Sequence, residues 1–284
     1  MGGALLSFLA MAIGGRELSV ELDTFGILFF RSLVGLAVVS LLLVRSGWRQ
    51  ITLRRLPLQV ARNAAHFVGQ FGWFYGVALI PLAEVFAIEF TTPAWTALLA
   101  ALILGERLTR SRLAAVALGL AGIVVILRPG AAVIEPAALA VLLGAAAYGL
   151  AYVLTKKLSS TETPLAIVFY MTAVQLPLAL VPSALDWVTP SPALWPWLLL
   201  VGVAGLSAHY CLTRALALAD ATVVVPFDFL RLPLALLAGF VLYAETVEPS
   251  VLAGAGLILL GNYLNIRAER RRAVPAPDLG TRRT

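Results

Sequence analysis

The sequence predicts an all-α polytopic membrane protein with ten transmembrane helices, laid out as two inverted five-helix repeats. Three observations predict this. The 284 residues are 61% hydrophobic and only 13% charged, with a mean hydropathy of +0.93. Globular domains hold about 45–50% apolar and about 25% charged residues, so too little polar surface remains to wrap a water-soluble core. The basic residues sort to one side of the spans, and the two halves of the chain align on each other. The composition also excludes disorder, and a disulfide scaffold is excluded because Cys211 is the single cysteine.

Charged and Pro/Gly clusters divide the chain into ten apolar segments. The first, 2–15, falls short of a hydrocarbon core ~30 Å thick at ~1.5 Å per residue unless Gly14, Gly15 and their neighbours join it. It has neither the n-region nor the small-residue cleavage site of a signal peptide; a start codon assigned a few residues late would explain its length. Segment 24–44 is followed by an arginine-rich connection, 45–60. Segment 60–80 carries Asn63, His66, Gln70 and Trp73 on one helical face. Segment 84–104 holds Glu89 and Pro93, and 112–128 ends on Arg128. Segment 137–155 carries a second stripe, Tyr148, Tyr152 and Thr155. Segment 164–185 contains Pro177, and 194–214 has His209 and Thr213 one helical turn apart. Segment 221–243 holds Pro226, Asp228, Arg231 and Pro233. Segment 250–267 precedes a polar tail, 270–284, expected to be disordered. Pro93, Pro226 and Pro233 each remove a backbone bond and are expected to kink their helices.

Seventeen of the 21 lysines and arginines fall on one side if the N-terminus is inside. They cluster at Arg45–Arg62, Arg107–Arg112, Lys156, Lys157, Arg214 and the C-terminal segment. Only Arg16 and Arg128 fall on the other side. This positive-inside bias predicts a plasma (inner) membrane protein with both termini cytoplasmic. The net charge of +6 is therefore topological and does not point to nucleic acid. Trp187, Trp195 and Trp197 flank the loop between spans seven and eight, where an outer aromatic belt is expected.

Leu18, Ser19, Ile27, Phe29 and Phe30 match Leu158, Ser159, Ile167, Phe169 and Tyr170 at an offset of 140. Glu106, Ser111, Leu113, Gly122 and Arg128 match Glu245, Ser250, Leu252, Gly261 and Arg267 at an offset of 139. With five spans per copy, residues 1–128 and 137–267 start on opposite sides of the bilayer. Inverted repeats of this kind characterise secondary transporters, with the substrate site at the repeat interface.

The chain resembles the EamA-type members of the drug/metabolite transporter superfamily. The resemblance is carried by Phe29-Phe30-Arg31-Ser32, by Pro93 with Leu104-Gly105-Glu106, and by Asp228–Arg231 with Tyr243-Ala244-Glu245. It implies two inverted five-helix repeats around a central cavity and transport of a small organic metabolite, without naming one.

Arg31, Glu89, Asp228 and Arg231 are ionisable groups within spans, where they are costly and mark functional sites. Glu89 and Asp228 are repeat mates, and Glu89 stands as far before Glu106 as Asp228 stands before Glu245. That separation, about 25 Å of helix, places Glu89 toward the outside and Asp228 toward the cytoplasm. Two charge-balanced layers are expected, Arg31 with Glu89 outside and Asp228 with Arg231 inside, bracketing a central site. For Arg31 the alternative is snorkelling to headgroups. Gln70, Trp73, Tyr148 and His209 are candidate cavity-lining residues, with His66 a weaker one, and a histidine near a carboxylate is a candidate proton-coupling device. The balance of two acids and two arginines hints at a neutral or zwitterionic solute.

No phosphate loop and no metal-ligand cluster is present, so no cofactor is expected. The partners are a small-molecule solute, the lipid bilayer and a coupling ion, with a proton among the candidates; oligomeric state is not legible. The rival classes are an intramembrane enzyme using Glu89, Asp228 or His209, and an accessory membrane subunit.

Overall fold

Helix starts are set by side chains that satisfy the first free N–H groups and by prolines that need none. Asp23 accepts from Gly26 N at 2.7 Å, Thr109 from Arg112 N at 3.3 Å and Thr163 from Ala166 N at 3.2 Å. Pro57, Pro93, Pro136 and Pro164 stand in first turns. The computed structural model describes residues 2–130, 134–218 and 229–273. Within them run α1 (Gly2–Leu18), α2 (Thr24–Ser46), α3 (Leu56–Leu79), α4 (Leu82–Glu89), α5 (Thr92–Leu104) and α6 (Arg110–Leu127). They are followed by α7 (Pro136–Leu158), α8 (Pro164–Ser183), α9 (Trp195–Leu218), α10 (Arg231–Tyr243) and α11 (Pro249–Ala273). Pro226 and Asp228 lie outside the described residues.

Seven of the helical segments are long and apolar enough to cross a bilayer, α4 and α5 together supplying one of them. Helices α1 and α10, at 17 and 13 residues, are shorter. Helix α3 is long enough, and its buried Gln59, Arg62, Asn63, His66 and Gln70 lower its hydropathy. The polarity is inside-out relative to a soluble domain. Those groups are buried with Arg31, Gln175, Arg231 and Asn262, while Leu102, Val181, Phe240 and Val44 stand 81%, 69%, 69% and 68% exposed. Apolar side chains outside and polar ones inside are what a lipid solvent selects. The chain is a multi-pass membrane protein.

Helix ends repeat along the chain. Helix α9 starts at an offset of 139 from the start of α3, and α10 starts and stops at the same offset from α5. Helix α8 starts at an offset of 140 from the start of α2, and α7 ends at that offset from the end of α1. The caps repeat too: α5 ends on Gly105 at φ 69° and α10 on Ala244 at φ 52°. In each case the next glutamate N–H reaches back into the last turns, Glu106 to Ala100 O and Glu245 to Gly239 O.

Close helix approaches use small residues. On α3, Gly69, Gly72 and Gly76 face Tyr148, Gly144 and Val141 of α7 in antiparallel order. A Cβ on Gly72 would overlap Ala140 O. Helix α1 runs antiparallel to α9, with Gly3 at Cys211 and Gly14 at Val201. Helices α6 and α11 cross antiparallel, Gly122 against Gly254 and Gly261 against Ala115. At the centre, α4 is enclosed on all sides: Leu82, Ala83, Val85, Phe86, Ala87 and Ile88 have no exposed surface.

The fourth span departs from the sequence reading. It is not one kinked helix over 84–104 but two helices separated at Phe90 and Thr91. Pro93 and Pro233 both stand in the first turn of the helix that follows, where a missing N–H breaks no intrahelical bond. They begin helices and do not bend them.

Candidate functional site

The interruption between α4 and α5 frees backbone carbonyls in the interior, and each finds a donor. Thr91 donates to Ile88 O at 2.7 Å, Thr92 to Glu89 O at 2.7 Å, and Asn262 of α11 to Phe90 O at 2.9 Å. A short sequence of small polar residues thus makes a stable break and leaves the Glu89 side chain at the end of a half-helix. Helix α10 packs on α4 and brings its first residue, Arg231, to that end.

Arg231 Nη1 donates to Glu89 Oε1 at 3.0 Å, with side chains 7% and 14% exposed. Trp73 Nε1 donates to the other oxygen, Oε2, at 2.9 Å. The guanidinium lies over Phe8 at 4.5 Å, Phe90 at 5.1 Å and Phe86 at 5.6 Å, an aromatic box favourable to a desolvated cation. This corrects the expected outer layer: Glu89 pairs with Arg231 and not with Arg31. The expected inner layer, Asp228 with Arg231, falls on Asp228, outside the described residues. The expectation assumed straight, independent spans. The break lets α4 and α10 meet end to end, a helix C-terminus against a cation, which the helix dipole favours. Glu89 also lies about 12 Å along a span of about 34 Å, well below the membrane face.

Beside this pair is a central pocket of about 20 Å³, room for about one water, lined by Arg31, Gln70, Trp73, Glu89, Tyr148 and His209, with Phe8, Met11, Phe74 and Tyr152. The structure therefore gathers every described residue of the sequence-derived set here, with Arg231 joined through Glu89. Asp228 lies outside the described residues. Arg31 is 5% exposed and turned inward against Gly205, so it does not snorkel. His66 meets Tyr148 edge-on at 5.2 Å and lies tilted against His209 at 5.8 Å, and its Nδ1 meets Gln175 Nε2 at 3.0 Å. Among the described residues its contacts are rings and an amide; Asp228, the carboxylate expected near it, lies outside them.

A crevice of about 400 Å³ leads from the centre to one end of the bundle, sharing Glu89 and Tyr152 with the central pocket and lined also by Arg231 and, further out, by Thr92, Thr96, Lys156 and Glu106. At that end Glu106 accepts from Lys156 Nζ at 2.6 Å and Arg112 Nη1 at 2.9 Å, and Arg112 also bonds Glu269 at 2.9 Å. At the other end Arg16 meets Glu245 at 2.9 Å, and donates to Ile80 O at 2.6 Å and to Val77 O. Glu245 Oε2 accepts from Leu82 N at 2.9 Å, and Tyr243 Oη donates to Glu17 at 2.9 Å. A separate hollow of about 490 Å³ at this end, between Glu84, Arg128, Glu135 and Glu248, has neither Glu89 nor Arg231 in its wall.

By charge sorting alone Arg16 and Lys156 are loop charges. They are related by an offset of 140, and their partners Glu245 and Glu106 by an offset of 139. These are the offsets of the internal match, so carrying the alignment slightly upstream of Leu18 finds them. Phe8 and Tyr148, and Gln70 and His209, are mates at the same offsets and line the pocket in pairs.

Hydrogen bonds from Lys156, then Arg112, hold the Glu106 carboxyl below the usual carboxylate range. A lowered pKa adds stability above the unfolded value that is lost as pH falls through the folded one. Melting curves of the detergent-solubilised protein should therefore contain a small acid-side step, on the scale of a surface ion pair at ~0–1 kcal/mol. The step should be absent from Glu106→Gln; an identical pH dependence in the two proteins would exclude it.

The sequence matches the EamA-like transporter family over residues 2–128 and again over 135–267. It is 27% identical over 270 residues to the S-adenosylmethionine uptake transporter of Rickettsia prowazekii, covering 94% of this chain and 92% of that one. It is 33% identical over 271 residues to the riboflavin transporter of Rhizobium johnstonii, covering 93% and 86%. A solved structure described as "Crystal structure of protein" superposes with a TM-score of 0.62 at 18% identity, over 96% of this chain and 99% of that one, which establishes a shared fold.

Proposed function

We propose, from the premise that this chain belongs to the EamA-like transporter family, that residues 1–128 and 137–267 are inverted copies of a five-span unit that expose a central site alternately to each side of the inner membrane. The chain is a transporter of small metabolites and not an enzyme, as its family and its transporter relatives establish. The site is the Glu89–Arg231 pair with Arg31, Gln70, Trp73, Tyr148 and His209; Asp228, the repeat mate of Glu89, belongs to it by sequence. The solute is in the class carried by the relatives, which includes S-adenosylmethionine and riboflavin.

Inversion is supported by the packing of mates. Helix α2 crosses its mate α8 and α6 crosses its mate α11, each antiparallel; α3 on α7 repeats as α9 on α1. Ten spans follow if α1, α3 and α10 cross along with the seven apolar segments.

The observation that carries alternating access is the pair of end clasps. Arg16–Glu245 and Lys156–Glu106 occupy equivalent positions in the two copies, so inversion puts one at each end of the path. They are unequal: side chains are 19% and 10% exposed at Arg16–Glu245 but 69% and 25% at Lys156–Glu106. The Arg16 end is sealed over α4, and the Lys156 end opens on the crevice. By the positive-inside bias the open end is cytoplasmic.

Thiol labelling tests this. In a Cys211→Ala background, an impermeant reagent should label Ala97→Cys, in the crevice, from the cytoplasmic side. Adding Glu245→Gln should raise labelling of Met11→Cys from the other side several-fold as the sealed end loosens. Equal labelling of Ala97→Cys from both sides, or no response to Glu245→Gln, would refute the reading.

A further inference from the structure

We propose that Arg31 binds the carboxylate of the transported solute and that the remainder of the solute is an aromatic or conjugated ring, an inference that rests on the transport reading above. Arg31 is 5% exposed, and its Nε has no hydrogen-bond partner. Among the described residues no acid pairs with it. Glu89, the described acid in the pocket wall, has one oxygen on Arg231 and the other on Trp73. A second buried arginine, Arg62, is tied to Asn63 at 2.6 Å and Thr155 at 3.0 Å. Arg31 is thus a desolvated cation left over in a pocket, which is costly unless a counter-charge arrives. Gln70 Oε1, in the same wall, is also buried without a partner. Orphaned buried polar atoms around a pocket imply a polar ligand group.

The seat of this guanidinium is specific. A Cβ at Gly205 would lie 2.8 Å from Arg31 Nη2, so the glycine lets the cation lie against α9. By the repeat offsets the mates of Arg31 and Gly205 are Met171 and His66, so the seat exists once. A feature that breaks the internal symmetry serves the ligand better than it serves the scaffold. Fork-shaped guanidinium matches a carboxylate bidentately, and one arginine suits one negative charge better than a dianionic phosphate. Phe8, Trp73, Tyr148 and Tyr152 complete the pocket, which holds about one water in this closed state, and offer ring faces for the rest of the solute when the site opens.

Matched acid and amide pairs test it: nicotinate against nicotinamide, and indole-3-acetate against indole-3-acetamide, followed by Trp fluorescence and thermal shift on the solubilised protein. Charge-assisted bonding should favour each acid by about 10-fold. Arg31→Gln should erase that preference, Arg31→Lys should keep part of it, and Gly205→Ala should weaken the acids alone. Equal or better binding of the amides, no binding of either acid, or an acid preference surviving Arg31→Gln would overturn the proposal. If Arg31→Gln does not fold, Arg31→Lys and Gly205→Ala carry the same comparison. Vesicle uptake separates the two levels of the argument. Accumulation of amides without acids removes the Arg31 proposal and leaves transport. Binding of acids that never accumulate removes transport and leaves an anion site.

Discussion

Replacing Glu89 with glutamine should lower vesicle uptake of the solute carried by the native chain roughly 100-fold, with the protein still inserted and monodisperse. The carboxylate joins α4 to α10 through Arg231 and α4 to α3 through Trp73. Removing one member of a buried ion pair costs about 3–5 kcal/mol, and the lower figure already corresponds to about two decades in an equilibrium. Much of that penalty falls on a position any moving half-helix must reform in each cycle. Glutamine keeps the shape and one acceptor for Trp73, so the fold is spared while the charge is lost. Uptake in Glu89→Gln within threefold of the native chain would mean the pair is structural. Glu89→Asp, which keeps the charge on a shorter arm, should retain partial activity.

Gly72→Ala should lower the apparent melting temperature of the solubilised protein by roughly 2–12 °C, from an overpacking cost of ~1–3 kcal/mol at ~2–4 °C per kcal/mol. The added methyl would overlap Ala140 O and lie 2.9 Å from Ala140 C. These are backbone atoms that no rotamer change can move, so α3 and α7 must separate along the seam that also positions Gln70, Trp73 and Tyr148. Gly256 is the control: nothing lies within 4 Å of its would-be Cβ, and alanine there should be neutral or add up to about 1 kcal/mol through helix propensity. Equal melting temperatures for the two variants would mean the close approach is not rigid. Gly72→Val should go further and prevent assembly of the bundle.

Much of the site was legible before any tertiary information. Gln70 and Trp73 fall on one face of α3 by spacing, Tyr148 and His209 by the same rule on their own helices, and Glu89 and Arg31 stand out as charges in hydrocarbon. A lipid solvent makes such positions conspicuous, because each polar group must have somewhere to point. Less legible were Phe8 and Met11, which a hydrophobic helix cannot distinguish from its lipid-facing residues, and the break at Phe90–Thr91. The latter has no glycine and depends on Thr91, Thr92 and the distant Asn262 to satisfy its carbonyls.

The sequence by itself determined the class of protein, the register of the two halves and the set of polar side chains that meet inside. Composition, charge sorting and the offsets of 139 and 140 are one-dimensional properties, fixed before the chain folds. Which charges pair was decided only by the tertiary structure: Glu89 with Arg231, Arg16 with Glu245, Lys156 with Glu106, and Arg31 with no protein acid among the described residues. Spacing along a helix fixes which residues share its face. Which face meets which partner depends on helix rotation, on how closely glycines let neighbours approach, and on where a span is broken, and those are settled only when all the helices pack together.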